Sequence, residues 1–148
     1  MILNSFYALL ATLGFGVLFN IKGRNLLFAS LGGFFTWLIY LLSLEYTNSN
    51  IFALFSASFV AGLYSEILAR ILRSPVTTFS ICSIIPLVPG GGMYYTMLES
   101  VRGNINEFLK TGIDTLSNAG SIAVGILLAS SVTKVILYFS RKKTSSFH

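Results

Sequence analysis

The chain has 148 residues, of which 54% are hydrophobic and only 10% charged, against about 25% charged in a typical soluble domain. Ten basic and five acidic side chains are too few to cover a soluble globule, and a mean hydropathy of +0.77 agrees. The net charge of +5 sits in small groups between apolar runs, as membrane topology signals do, rather than in a nucleic-acid-binding stripe. One cysteine, Cys82, excludes a disulfide framework; a single histidine, His148, argues against a protein-built zinc site. The composition is that of an all-α integral membrane protein, with no metal, cofactor or nucleic-acid partner expected.

A bilayer-spanning helix needs about 20 largely apolar residues, and five runs approach that length. They cover residues 2–19, 26–44, 51–69, 76–98 and 119–139, giving one transmembrane domain over residues 1–140 and a basic tail over 141–148. The first run lacks a basic leader and a cleavage site, so it reads as a retained helix rather than a signal peptide. With five spans, Lys22, Arg24, Arg70, Arg73, Arg141, Lys142 and Lys143 fall on one side. The other side holds Arg102 and Lys110, diluted by Glu99, Glu107 and Asp114. Excess basic residues mark cytoplasmic loops, so the N-terminus is expected outside and the C-terminus in the cytoplasm. Lys134 is expected to snorkel to the cytoplasmic interface.

The fourth run is interrupted by Pro86-Leu87-Val88-Pro89-Gly90-Gly91-Gly92. Each proline removes a backbone donor and clashes with the preceding turn, so two half-helices are expected, over about 76–85 and 93–99. Unwound backbone within a membrane is tolerated only when it is buried in protein or lines a cavity. The first turn of the second half-helix would aim free N–H groups into the break, where an anionic group such as a substrate carboxylate is favoured. Pro86, Pro89, Gly90, Gly91 and Gly92, with hydroxyls from Tyr94, Tyr95 and Thr96, are therefore the candidate substrate-binding residues. The alternative is a plain packing kink.

Between the fourth and fifth runs, Ile105, Phe108, Leu109, Ile113 and Leu116 share one helical face, opposite Glu107, Lys110 and Asp114. This predicts an amphipathic helix over about 104–116, with Asn104 and Glu107 in capping-box spacing. It is either an interfacial or gating helix or an ordinary connector. Small residues (Gly14, Gly16, Gly32, Gly33, Ala57, Ala61, Gly62, Ala119, Ala123, Gly125, Ala129) mark expected helix contacts.

Ionisable residues in spans are functional candidates by default. Glu66, with Arg70 four residues on, is a gating or proton-coupling candidate or else a boundary ion pair. Glu99, near Arg102, is a further gating candidate. No nucleophile-and-base set is visible, and the glycine run lacks the Lys-Ser or Lys-Thr of a P-loop, so the chain is not read as an enzyme.

The run Pro86 to Gly91 followed by Tyr94 resembles the signature of the threonine/serine exporter family. Ala69-Arg70, Arg73-Ser74-Pro75, the stretch from Gly112 through Ala119, and Ile122-Ala123-Val124-Gly125 are similar to that family too. The resemblance covers nearly the whole chain and is strongest from about Glu66 to Gly125. It implies half of a ten-span, two-domain transporter that is split in many bacteria, this chain corresponding to the shorter subunit. It also implies a bacterial inner-membrane location, a larger membrane subunit as partner and a small carboxylate-bearing solute as substrate. Threonine or serine export driven by the proton gradient is the expected activity. A two-subunit succinate export system in the same family supplies a dicarboxylate alternative. A non-transporting scaffold is the reading from a different class, and homo-oligomers remain compatible with each.

Overall fold

The computed structural model describes residues 1–145, with side chains described to Phe139. The basic tail side chains Arg141, Lys142 and Lys143, and His148, lie outside the described residues. Six helices follow in order: α1 (Ile2–Leu18), α2 (Arg24–Thr47), α3 (Asn50–Ile71), α4 (Val76–Ile84), α5 (Gly90–Arg102) and α6 (Ile105–Ser145), with one 3-10 turn (Ile85–Leu87) after α4. The described residues contain no strand.

α2, α3 and α6 are each long and apolar enough to cross a membrane, while α1 is apolar but shorter, at 17 residues. That is about 26 Å of helix, at the lower limit for a span. The segments Val76–Leu87 and Gly90–Arg102 together make one span bent by 58°. By length alone such a pair is a broken span or a re-entrant loop, and the packing of α3 on α6 separates the two. Asn50 Nδ2 donates to Asn118 Oδ1 at 3.1 Å, and Ser121 Oγ donates to the Ile51 carbonyl at 2.6 Å. Further along, Gly125 faces Ser58 and Gly62 faces Ala129. Both helices therefore advance in the same direction, so the chain crosses once between them. A re-entrant loop would return it to the side where α3 ends and make α6 antiparallel.

The core is built from small side chains that let backbones approach, as expected where lipid removes most of the hydrophobic drive for helix association. A Cβ on Gly62 would stand 2.6 Å from the Ala129 methyl. The face of α6 that packs on α3 carries buried Ile122, Gly125, Ala129 and Thr133; Ala119 and Ala123, expected as contacts, are exposed. Among the first-span glycines, Gly14 meets nothing and Gly16 faces Leu26. One apolar cluster joins Ala29, Leu68, Ala69, Phe79 and Cys82; a second joins Leu54, Ala57, Leu87 and Ile122, flanked by Trp37 and Tyr40.

Two boundaries differ from the sequence expectation. The amphipathic segment and the fifth span form one continuous helix, because Ser117-Asn118 contains neither proline nor a left-handed residue to end it. The second half of the broken span starts at Gly90 rather than Met93, since Gly90, Gly91 and Gly92 all keep negative φ and form the first turn of α5. The unwound stretch is thus short and centres on Pro86 to Pro89.

α5 has no buried residue and packs chiefly on α6, forming a hairpin. Because Asn118 lies level with the start of α3, residues from Ile105 to Ser117 extend past it by about 20 Å.

Candidate functional site

Pro86 lies in the 3-10 turn and has no N–H to offer the Cys82 carbonyl, so the α4 ladder stops there. The Val88 N–H donates to the Ile85 carbonyl at 3.2 Å, and the Gly90 N–H folds back to the Val88 carbonyl at 2.7 Å. Pro89 then occupies the N-cap of α5, and the Met93 N–H donates to its carbonyl at 3.1 Å. The N–H groups of Gly91 and Gly92 have no acceptor among the described residues, and no side chain caps the helix. Gly90 and Gly91 are exposed, with nothing within 4 Å of a Cβ position. Gly92 packs on Thr115, one turn from the Asn118–Asn50 pair, so these free amides lie level with the start of α3, at the end of the spans.

The remaining sequence candidates separate. Gly92 is turned toward α6, where a Cβ would run into the Thr115 hydroxyl. Thr96 donates its hydroxyl to the Gly92 carbonyl at 2.7 Å and packs on Gly112. Tyr94 and Tyr95 are exposed on α5, edge to face at 5.3 Å. Pro86 lines a cavity of about 320 Å³, whose other walls are Asn4, Tyr7, Ala8, Ala11 and Trp37. Sequence reasoning missed Asn4, Tyr7 and Trp37. Two signals were available: a polar residue at the outer end of the first apolar run, and the sole tryptophan in mid-span. Trp37 Nε1 is buried without an acceptor, as is Ser83 Oγ.

Glu66 and Glu99 sit at different places. Glu66 is 7% exposed on α3 and takes Arg70 Nη2 at 2.9 Å, while the Arg70 side chain is 41% exposed. Arg70 Nη1 also donates to the Glu66 carbonyl at 3.2 Å. The register with α6 puts buried Glu66 level with buried Thr133, one turn beyond the Gly62–Ala129 contact. The carboxylate is thus inside the bundle and its arginine reaches outward. Glu99 instead clamps the α5–α6 corner, accepting from Arg102 Nη1 at 3.0 Å and Asn104 Nδ2 at 2.6 Å. Asn104 therefore bonds backward to Glu99 rather than forming the expected capping box with Glu107. Gly103, with φ +76, makes the turn between them.

Parallel crossing helices, small-residue contacts and a proline-broken span define a multi-pass membrane protein. The family described as Threonine/Serine exporter, ThrE, matches residues 4–132. The chain belongs to the threonine/serine exporter family, and by that membership it is a transporter-type subunit. Neither the curated proteins nor the solved structures contain a match to it.

Proposed function

We propose that the chain is the shorter subunit of a two-component exporter of small carboxylate-bearing solutes, with threonine and serine as substrates. The observation that carries this reading is the pair of unpartnered amides at Gly91 and Gly92, at the break of the bent span, level with the start of α3 and open at Gly91. A carboxylate on a helix N-terminus satisfies such groups. The break then forms one wall of the substrate path, with Pro86, Trp37 and Asn4 lining the cavity beside it. Glu66 is the proton-coupling group of this reading, being the buried carboxylate of the bundle.

The opposite wall comes from a larger membrane subunit. The α5–α6 hairpin presents Met93, Tyr95, Met97, Leu109 and Ile113, each more than half exposed, beyond the start of α3. Homo-oligomerisation of this chain within the assembly is compatible with that geometry. The N-terminus lies outside a bacterial inner membrane and the C-terminus in the cytoplasm.

Export of labelled threonine, serine and succinate from cells with and without this chain tests the proposal. Loss of threonine and serine export on deletion supports it. Loss of succinate export alone shifts the substrate to a dicarboxylate. Unchanged fluxes with a partner that still transports leave only a scaffold.

A further inference from the structure

We propose that a second, polar cavity at the foot of the hairpin binds the ammonium group of an amino-acid substrate through Asp114, a proposal resting on the amino-acid exporter reading. The cavity, about 480 Å³, lies between the α2–α3 loop and α6 and is lined by Asn48, Ser49, Asn50, Asp114, Ser117 and Asn118, with Ile51 as its apolar member. Its volume is within the range of small-molecule sites.

The hydrogen bonds orient part of this wall. Tyr40 donates its hydroxyl to Asn50 Oδ1 at 2.8 Å, and Asn50 Nδ2 donates to Asn118 Oδ1 at 3.1 Å. That chain uses the acceptor of Asn118 and leaves its Nδ2 as a free donor. Asp114 has no Lys or Arg nitrogen within 4.0 Å and no hydrogen bond among the described residues. Lys110, one turn before it on α6, makes no bridge to it. The cavity therefore holds an unpaired carboxylate and a fixed amide donor, with Ser49 and Ser117 also in its lining.

This set matches a zwitterion. An ammonium group pairs with Asp114 in a charge-assisted hydrogen bond, and the carboxylate takes the Asn118 amide. A hydroxyl side chain, as in serine or threonine, finds the serines. A dicarboxylate meets Asp114 as a like charge and gains no counter-ion. The cavity would thus select by the ammonium group, separately from the carboxylate-directed break.

Equilibrium dialysis of the purified full-length chain against labelled L-threonine tests the site. Asp114→Asn is expected to weaken binding about tenfold or more, Asp114→Glu to restore most of it, and N-acetyl-L-threonine, which lacks the ammonium, to compete poorly. Equal affinity of wild type and Asp114→Asn overturns the site. If threonine export persists in that variant as well, the exporter reading stands without it. Wild-type protein that binds and exports succinate but neither amino acid overturns both. Because Asp114 is exposed, its substitution leaves the fold intact, which a monodisperse elution profile verifies.

Discussion

Gly92 of α5 and Thr115 of α6 meet so closely that a Cβ on the glycine would occupy the space of the threonine hydroxyl. Thr115 is held in place by its own bond to the Thr111 carbonyl, at 2.7 Å. Of the three successive glycines, Gly92 is the one demanded by packing; Gly90 and Gly91 face open space.

The hairpin should therefore respond differently to substitution along this run. Gly92→Val is expected to push α5 from α6, whereas Gly90→Ala should leave the contact intact and favour the helix by roughly 1 kcal/mol. Cysteines at Thr96 and Gly112, whose side-chain positions touch across the hairpin, report the difference in a Cys82→Ser background. Cross-linking should survive Gly90→Ala and fall sharply with Gly92→Val.

The break itself should resist repair. Pro86→Ala with Pro89→Ala restores two backbone donors and removes two clashes worth about 3 kcal/mol each in a helix interior. The 58° bend should relax and threonine export should be lost, with membrane insertion unchanged by blotting. Wild-type flux from a well-expressed double variant would mean that the break is not part of the path.

How much of this was legible beforehand depended on how local the cause was. Pro86 and Pro89 act on their own helical turn, so the break was visible in the sequence. The glycines were read as unwound because they permit it, but permission is not preference: with Pro89 as N-cap, all three take ordinary helical φ. The continuity of α6 was missed for a related reason. Its pattern changes from amphipathic to largely apolar near Asn118, and in a sequence a change of surroundings along one helix looks the same as a change of helix. The approach of Trp37 to Pro86, and of Asn118 to Asn50, depends on how helices pack and leaves no trace in either local segment. Likewise the spacing of Glu66 and Arg70 identified the pair but not which partner is buried.

That asymmetry gives a stability prediction. Removing Arg70 strands a carboxylate that is almost fully buried, and leaving one partner of a buried pair uncompensated costs about 3–5 kcal/mol. Removing Glu66 leaves an arginine already 41% exposed, free to take water or headgroups, at a cost of about 1 kcal/mol or less. Thermal unfolding in detergent should therefore rank Arg70→Ala well below Glu66→Ala. Equal losses would place the carboxylate at the surface instead.

The parallel run of α3 and α6 fixes which loops share a side of the membrane. Asn48 precedes α3 and Gly103 precedes α6, so the two lie together, opposite Arg73 and the end of α6. With Cys82 replaced by serine, single cysteines at Asn48 and Gly103 should both react with a membrane-impermeant maleimide added to intact cells. A cysteine at Arg73 should react only after permeabilisation. Reaction at Asn48 but not at Gly103 would mean that the α4–α5 pair returns to the side it left, overturning the single crossing between α3 and α6. Reaction at Arg73 alone would keep that crossing and reverse the whole chain, which would set the basic groups at Lys22, Arg24, Arg70 and Arg73 outside, against the charge rule that oriented it.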